Sequence, residues 1–93
     1  MEKIRTADRV LAMVVAWNRV FPYCITNRDL SNLLGIASTS HTAIVLSELE
    51  RHGLIGRVPG HARTLHATEK GKLRANIGLV QVYARELKEN DAT

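Results

Sequence analysis

Capping residues and glycines divide the middle of this chain into two short helical segments. Thr26 stands where a helix N-cap belongs, and Asp29 three residues later allows a capping box. Gly35 supplies the left-handed residue that ends the first segment. The hydroxyl run over 38–40 suits the start of a second helix, and Gly53 suits its end. The spacing therefore predicts two short helices joined by a three-residue turn that contains glycine, which is the signature of a helix-turn-helix.

The flanking segments predict a mainly α fold with a small β hairpin. Apolar residues from Ala7 to Val15 recur at steps of three and four, which indicates a first helix with one buried face. Pro22 ends that helix because proline lacks a backbone donor. Pro59 and Gly60 suit the centre of a type II turn between two strands. The predicted elements are a helix over 5–19, an extended piece over 23–25, helices over 26–35 and 38–52, strands over 54–58 and 62–67, and a last helix over 68–90.

The size and charge of the chain restrict its class. A length of 93 residues with 45% hydrophobic residues predicts one globular domain, divided into a body over 5–67 and a C-terminal helix over 68–90. Lys and Arg number 13 against 9 Asp and Glu, and the net charge of +4 favours a polyanionic partner such as nucleic acid. The single cysteine, Cys24, cannot close an intrachain disulfide, so we expect a cytoplasmic protein. No stretch approaches the roughly 18 apolar residues of a membrane span, so no membrane partner is expected.

The last predicted helix carries two apolar faces. One face has the alternating steps of four and three of a heptad seam and consists of Leu73, Ile77, Val80, Ala84 and Leu87. The other face consists of Leu79, Val82 and Tyr83. Because one face can pack on the domain itself and the other needs a partner, we expect a homodimer joined through the heptad seam. The alternative is a helix that is buried entirely in its own domain.

The order helix, turn, helix and two-stranded hairpin runs from Ile25 to Leu65. This stretch contains the threonine cap, the Leu34-Gly35 turn, the hydroxyl run, Leu46 and Leu49, the exit Gly53-Leu54-Ile55 and the arginines of the hairpin. It resembles a winged helix-turn-helix, in particular the N-terminal DNA-binding domain of LexA-type repressors. The following Ala-Thr-Glu-Lys-Gly over 67–71 resembles the strand-to-helix junction of MarR-type regulators. The resemblance implies a sequence-specific transcription regulator, a homodimeric repressor that occupies an operator in the cytoplasmic nucleoid.

The resemblance also implies which residues contact double-stranded DNA. In these families the second helix of the pair enters the major groove and the hairpin, or wing, contacts phosphates. On helix 38–52, serine and histidine side chains would donate to base edges, and Ala43 or Ile44 would touch a thymine methyl group. Arg28 and the cations of the 54–67 wing would contact the backbone. The predicted surface comprises Arg28, Ser38, Thr39, Ser40, His41, Ala43, Ile44, Ser47, Arg51, Arg57, His61 and Arg63.

The same residues leave one alternative function open. Winged helices also bind other regulatory proteins, and an exposed Ile44 beside Ala43 would suit such an adaptor. Cys24, His61 and His66 match no compact zinc spacing, so we expect no metal and no other cofactor. A nucleophile, a base and an orienting group cannot be placed together from the sequence, so no enzyme is expected.

Overall fold

The chain folds mainly into helices, with one small two-stranded hairpin. A computed structural model describes residues 5–61 and 63–91. The elements are α1 Thr6–Val20, α2 Asn27–Leu34, α3 Thr39–Arg51, β1 Ile55–Gly56, β2 His66–Ala67, α4 Glu69–Arg74 and α5 Ile77–Asp91. The mainly α fold with a small antiparallel hairpin is therefore confirmed. Within these residues, no helix combines the length and the apolar character that crossing a membrane requires.

The helices of the central pair begin and end where their capping residues predict. Thr26 Oγ1 accepts the Asp29 N–H at 3.1 Å, and Asp29 Oδ2 accepts the Thr26 N–H at 3.1 Å, which completes the capping box. Gly35 has φ of 67° and Gly53 has φ of 74°, both in the left-handed region. The N–H that follows Gly53 donates to the Leu49 carbonyl at 2.9 Å, as in a Schellman ending. Two short helices joined by a short turn are therefore confirmed.

Helix α1 lies at the centre of the core. The eight consecutive residues from Val10 to Trp17 are all buried, so the helix is enclosed on every side and not on the single face predicted. Its most extensive contact is with α5, while α2, α3, α4 and β2 contact it elsewhere. The other buried apolar residues are Ile25, Leu30, Leu34, Leu46, Leu49, Ile55, Leu65, Ala67, Ala75, Val80 and Leu87. A helix that is apolar all round is stable in a chain this short because several neighbouring elements cover it.

The two strands are shorter than the sequence predicts. β1 and β2 pair antiparallel over two residues each, rather than over 54–58 and 62–67. Arg63 has φ of 62°, in the left-handed region, which a continuous strand cannot contain. Ala62, the predicted start of the second strand, lies outside the described residues. The predicted extended piece over 23–25 forms no strand.

The predicted helix over 68–90 consists of two helices, α4 and α5. Thr68 caps α4 as predicted. Ala75 then has an extended backbone with ψ of 146°, and Asn76 Oδ1 accepts the Leu79 N–H at 3.1 Å. An asparagine side chain that satisfies a free backbone donor stabilises a new helix start. The single helix predicted over 68–90 is therefore two helices, separated by a break at residues 75 and 76.

The break also divides the predicted heptad seam. Val80 and Leu87 are 1% and 3% exposed, and Ala84 packs against the same core. Leu73 and Ile77 are 86% and 58% exposed. The prediction that all five residues meet a second chain is therefore wrong for Val80 and Leu87, because α5 uses them to cover the core of its own domain. Leu73 and Ile77 are the part of the seam that stays at the surface.

Candidate nucleic-acid interface

The buried side of α3 sets the orientation of the helix. Thr42, Leu46 and Leu49 are buried. Thr42 Oγ1 lies 2.9 Å from Ser31 Oγ of α2, and Ser31 Oγ also donates to the Asn27 carbonyl at 3.1 Å. Rotation of α3 would break this buried contact between the two hydroxyl groups, so the pair favours one orientation of the helix against α2. The opposite side of α3 is thereby held towards solvent.

That outward side is open and carries no net charge. Ile44 is 61% exposed at its centre. Glu48 and Arg51 stand one and two helical turns after Ile44. They form an ion pair, with Arg51 Nη2 3.9 Å from Glu48 Oε1, so their charges cancel. Both side chains are well exposed, so this ion pair adds little rigidity. The predicted residues on α3 and its cap are all exposed, except for the half-buried Ala43: Ser38, Thr39, Ser40, His41, Ile44, Ser47 and Arg51.

A shallow depression lies along the same side of α3. Its volume is about 370 Å³, and its lining consists of Ala43, Ile44, Ser47, Glu48 and Arg51. Small residues and one apolar residue thus form the floor, while an acid and a base stand at one end. No other element of the described chain contributes to this lining, so α3 could approach a large flat partner or a groove directly.

The hairpin lies beside α3 and is tied to it by one arginine. Arg57 Nε donates to Glu50 Oε1 at 3.3 Å, and Arg57 Nη2 donates to Ser47 Oγ at 3.3 Å. The Arg57 side chain is 30% exposed and the Glu50 side chain is 39% exposed. The guanidinium therefore stands at the border between the hairpin and the outward side of α3. Sequence reasoning selected Arg57 but missed Glu50, the acid that positions it.

Three basic residues of the hairpin, Arg57 among them, face the start of α2. Arg57, His61 and Arg63 line one cleft of about 250 Å³ together with Asn27. Arg28, the next residue of α2, is exposed. The free N–H groups at a helix start add a partial positive charge to that of the side chains. The structure thus brings Arg57, His61 and Arg63 together at one cleft, of which Arg57 also contacts α3.

The hairpin loop is held by the side chain of Thr64. Its Oγ1 accepts the Val58 N–H at 2.8 Å and donates to the His61 carbonyl at 3.2 Å. The His61 N–H donates to the Val58 carbonyl at 3.1 Å, and Gly60 has φ of 79°, as the predicted Pro59-Gly60 turn requires. These hydrogen bonds hold Val58, His61 and Thr64 together on either side of Arg63 and the turn. Thr64 was not predicted, because its partners are set by the loop shape and not by a pattern in the sequence.

One further positioning residue comes from α1. Asn18 Oδ1 accepts the Ala67 N–H at 3.0 Å, which attaches β2 to the central helix. These two residues are far apart in the sequence, and no local pattern links them. Cys24 is half-buried with a free thiol. In the ranges 5–61 and 63–91, no group of three or more His, Cys, Asp or Glu side chains is placed to hold a metal ion.

Comparisons of the chain with protein-family models, with curated proteins and with solved structures found no match. The resemblance to LexA-type and MarR-type regulators therefore stays a prediction. A functional proposal for this protein depends on the geometry and charge of the α3 surface and of the hairpin beside it.

Proposed function

We propose that this protein is a winged helix-turn-helix transcription regulator that binds double-stranded DNA through α3 and the hairpin. The observation that supports this most is the separation of two kinds of surface. The outward side of α3 carries no net charge and has several small side chains, while Arg57 stands at its edge and Arg63 lies in the cleft that Arg57 shares. In protein–DNA complexes, contacts to phosphates supply most of the affinity and contacts to base edges supply the sequence preference. The two surfaces correspond to these two tasks.

An exposed helix is the element that the major groove admits. The groove is about 12 Å wide, which is close to the diameter of an α-helix with its side chains. Ser40, His41 and Ser47 present hydroxyl and imidazole groups that can donate to or accept from base edges. With α3 in the groove, Arg57 beside it would contact a phosphate, and Arg63 in the neighbouring cleft would contact another. The buried Ser31–Thr42 pair keeps this helix in one orientation before DNA arrives.

The first experiment is a titration of a fluorescent duplex of random sequence with the full chain, at about 50 and 200 mM salt. We expect binding that weakens steeply with salt. Replacing Arg57 and Arg63 by alanine should weaken binding to all sequences equally and reduce the log–log salt slope by about one for each lost phosphate contact. Arg85→Ala removes an exposed cation from α5 and serves as the matched control. Absence of salt-sensitive binding at micromolar protein would refute the proposal.

The proposal includes a homodimeric repressor that acts by occupying an operator. Leu73 and Ile77 supply the apolar surface that a second copy would cover, since the rest of the seam is buried in the chain's own core. A symmetric dimer of this kind should bind two half-sites about 34 Å apart along the duplex. Selection from a random duplex library tests this point, because a dimer enriches sequences with two related half-sites at that spacing.

A second candidate function is an adaptor that binds another regulatory protein. The exposure of Ile44 at the centre of an uncharged helix side favours it, because large exposed apolar side chains are common in protein contacts. Ile44→Asp separates the two functions. Loss of a protein partner with DNA binding intact supports the adaptor, whereas a change in DNA sequence preference supports the regulator.

A further inference from the structure

An apolar side chain stands near the middle of the outward side of the proposed reading helix. Ile44 is 61% exposed, and it is not among the residues that pack against the core. At about 100° per residue, it stands nearly opposite the buried Leu46 around the helix axis. Its position therefore has no structural task within the chain, and its apolar surface is available to a ligand.

An acid follows one turn after this isoleucine. Residues four apart lie on the same side of a helix, so Glu48 stands next to Ile44 along α3, and both line the same depression. The Glu48 side chain is 62% exposed, and among the described residues its one ion pair is the 3.9 Å contact with Arg51. The carboxylate is therefore available as an acceptor directly beside an apolar contact.

The major groove contains one kind of apolar group, the methyl group at C5 of a pyrimidine. Most other groups at the base edges are hydrogen-bond donors or acceptors, and covering these with an isoleucine would remove water without replacing its hydrogen bonds. Cytosine in addition presents an N4 amino donor next to C5, and glutamate is a suitable acceptor for it. Thymine presents the acceptor O4 at the equivalent position. Because a carboxylate is also an acceptor, it cannot form a hydrogen bond there and is repelled by O4. 5-Methylcytosine carries both groups, the methyl group at C5 and the amino donor at N4.

We propose that α3 reads a C5-methylated cytosine, with Ile44 against the methyl group and Glu48 accepting from the N4 amino group. The inference rests on the proposed DNA-binding function and names the base that its central residues select. The affinity of the protein for its site therefore rises when a cytosine there is methylated at C5. The thymine contact expected from the resemblance is replaced by a more specific one, because the acid beside Ile44 distinguishes the two bases.

The test uses two random duplex libraries with the same sequences, one made with cytosine and one with 5-methylcytosine. The full chain selects from each library, and the enriched duplex is then synthesised with cytosine, 5-methylcytosine or thymine at each pyrimidine in turn. At one position per half-site we expect 5-methylcytosine to bind about fourfold more tightly than cytosine, the value for burying one methyl group. Thymine at that position should bind at least about fivefold more weakly than 5-methylcytosine.

Three variants assign the effect to its residues. Ile44→Ala should abolish the difference between methylated and unmethylated cytosine, and Glu48→Ala should abolish the difference between 5-methylcytosine and thymine. Val82→Ala shortens an apolar side chain of α5 that is 48% exposed, and it should keep both preferences. Because all three side chains are exposed, circular dichroism of the variants should match that of the unsubstituted chain.

The outcomes separate this inference from the function on which it rests. Salt-sensitive binding with equal affinity for both libraries overturns the methylcytosine reading and leaves DNA binding in place. A methylation preference that survives Ile44→Ala overturns the assignment to that residue. If neither library is bound, the proposed function and this inference both fall. Unchanged DNA affinity in the Ile44 variant, at every duplex, would also overturn the inference and favour the adaptor.

Discussion

Gly71 lies where α4 meets the chain after α3, and we predict that Gly71→Ala strongly destabilises the fold. A Cβ at this position would lie inside van der Waals contact of the Leu54 carbonyl oxygen, 2.9 Å from its carbonyl carbon and 3.4 Å from Leu11 Cδ1. The same carbonyl oxygen accepts the Thr68 N–H at 3.1 Å, and Thr68 Oγ1 donates to the Gly53 carbonyl at 2.6 Å. Making room for a methyl group therefore requires α4 to move and both hydrogen bonds to lengthen.

The magnitude follows from three contributions. Overpacking a close contact costs roughly 1–3 kcal/mol, and each of the two weakened hydrogen bonds costs about 1 kcal/mol. Alanine is better than glycine inside a helix by about 1 kcal/mol, which offsets part of the loss. The free energy of unfolding should therefore fall by about 2–4 kcal/mol, which for a chain of this size lowers Tm by about 10–25 °C.

Urea and thermal unfolding followed by circular dichroism measure this effect. Gly78→Ala is the matched control, because Gly78 is also helical but a Cβ there would meet only the Asn76 Oδ1 within 4 Å, at 3.3 Å. That variant should be neutral or up to about 1 kcal/mol more stable, since helix propensity acts without a backbone clash. If both variants had the same stability, or if Gly71→Ala matched the unsubstituted chain, the close approach of α4 to Leu54 would be refuted.

Three further predictions concern the interface, the core and the assembly. Glu50→Gln should raise the affinity for random duplex and steepen its salt slope by up to about one, because Arg57 is released from its carboxylate; a weaker affinity in the same titration would contradict this. Thr42→Val should lower the free energy of unfolding by about 1–2 kcal/mol, because Ser31 Oγ loses a buried partner. A double-mutant cycle with Ser31→Ala, measured by urea unfolding, should show coupling between the two residues, and additive losses would exclude their interaction. Leu73→Lys should convert a dimer to a monomer in light scattering without unfolding it, and an unchanged mass would rule out self-association through this residue.

Sequence reasoning succeeds here where the physical cause is local. The Thr26 capping box, the left-handed Gly35 and the Pro59-Gly60 turn all involve backbone groups within a few residues of the side chain that controls them. Such interactions form whatever the rest of the chain does, so the residue types alone identify them. The boundaries of α2 and α3, and with them the outward side of α3, were therefore predictable.

The failures arise where distant segments decide the outcome. The pattern of α1 shows an apolar helix but does not show that its neighbours cover every side of it. Periodicity alone places Leu73, Ile77 and Val80 on one continuous helix. The cap made by Asn76 starts a new helix instead, so Leu73 lies in α4 while Ile77 and Val80 lie in α5. The attachment of β2 to Asn18 has no local signal at all, since the two segments meet only when the whole chain is folded. Long-range packing therefore limits prediction more than helix propensity does.

Of the acidic residues near the proposed DNA surface, Glu50 lowers affinity alone, whereas Glu48 also affects specificity. Glu48 and Glu50 reduce the positive potential along α3, and Glu50 also holds Arg57 by a hydrogen bond. Non-specific binding depends on neutralising phosphates, so these acids weaken it at every sequence alike. A base that satisfies Glu48 recovers part of that loss only at the correct site. The ratio of specific to non-specific affinity therefore rises, although the net positive charge available to the phosphates falls. This ratio decides which sites a regulator occupies among many competing sequences.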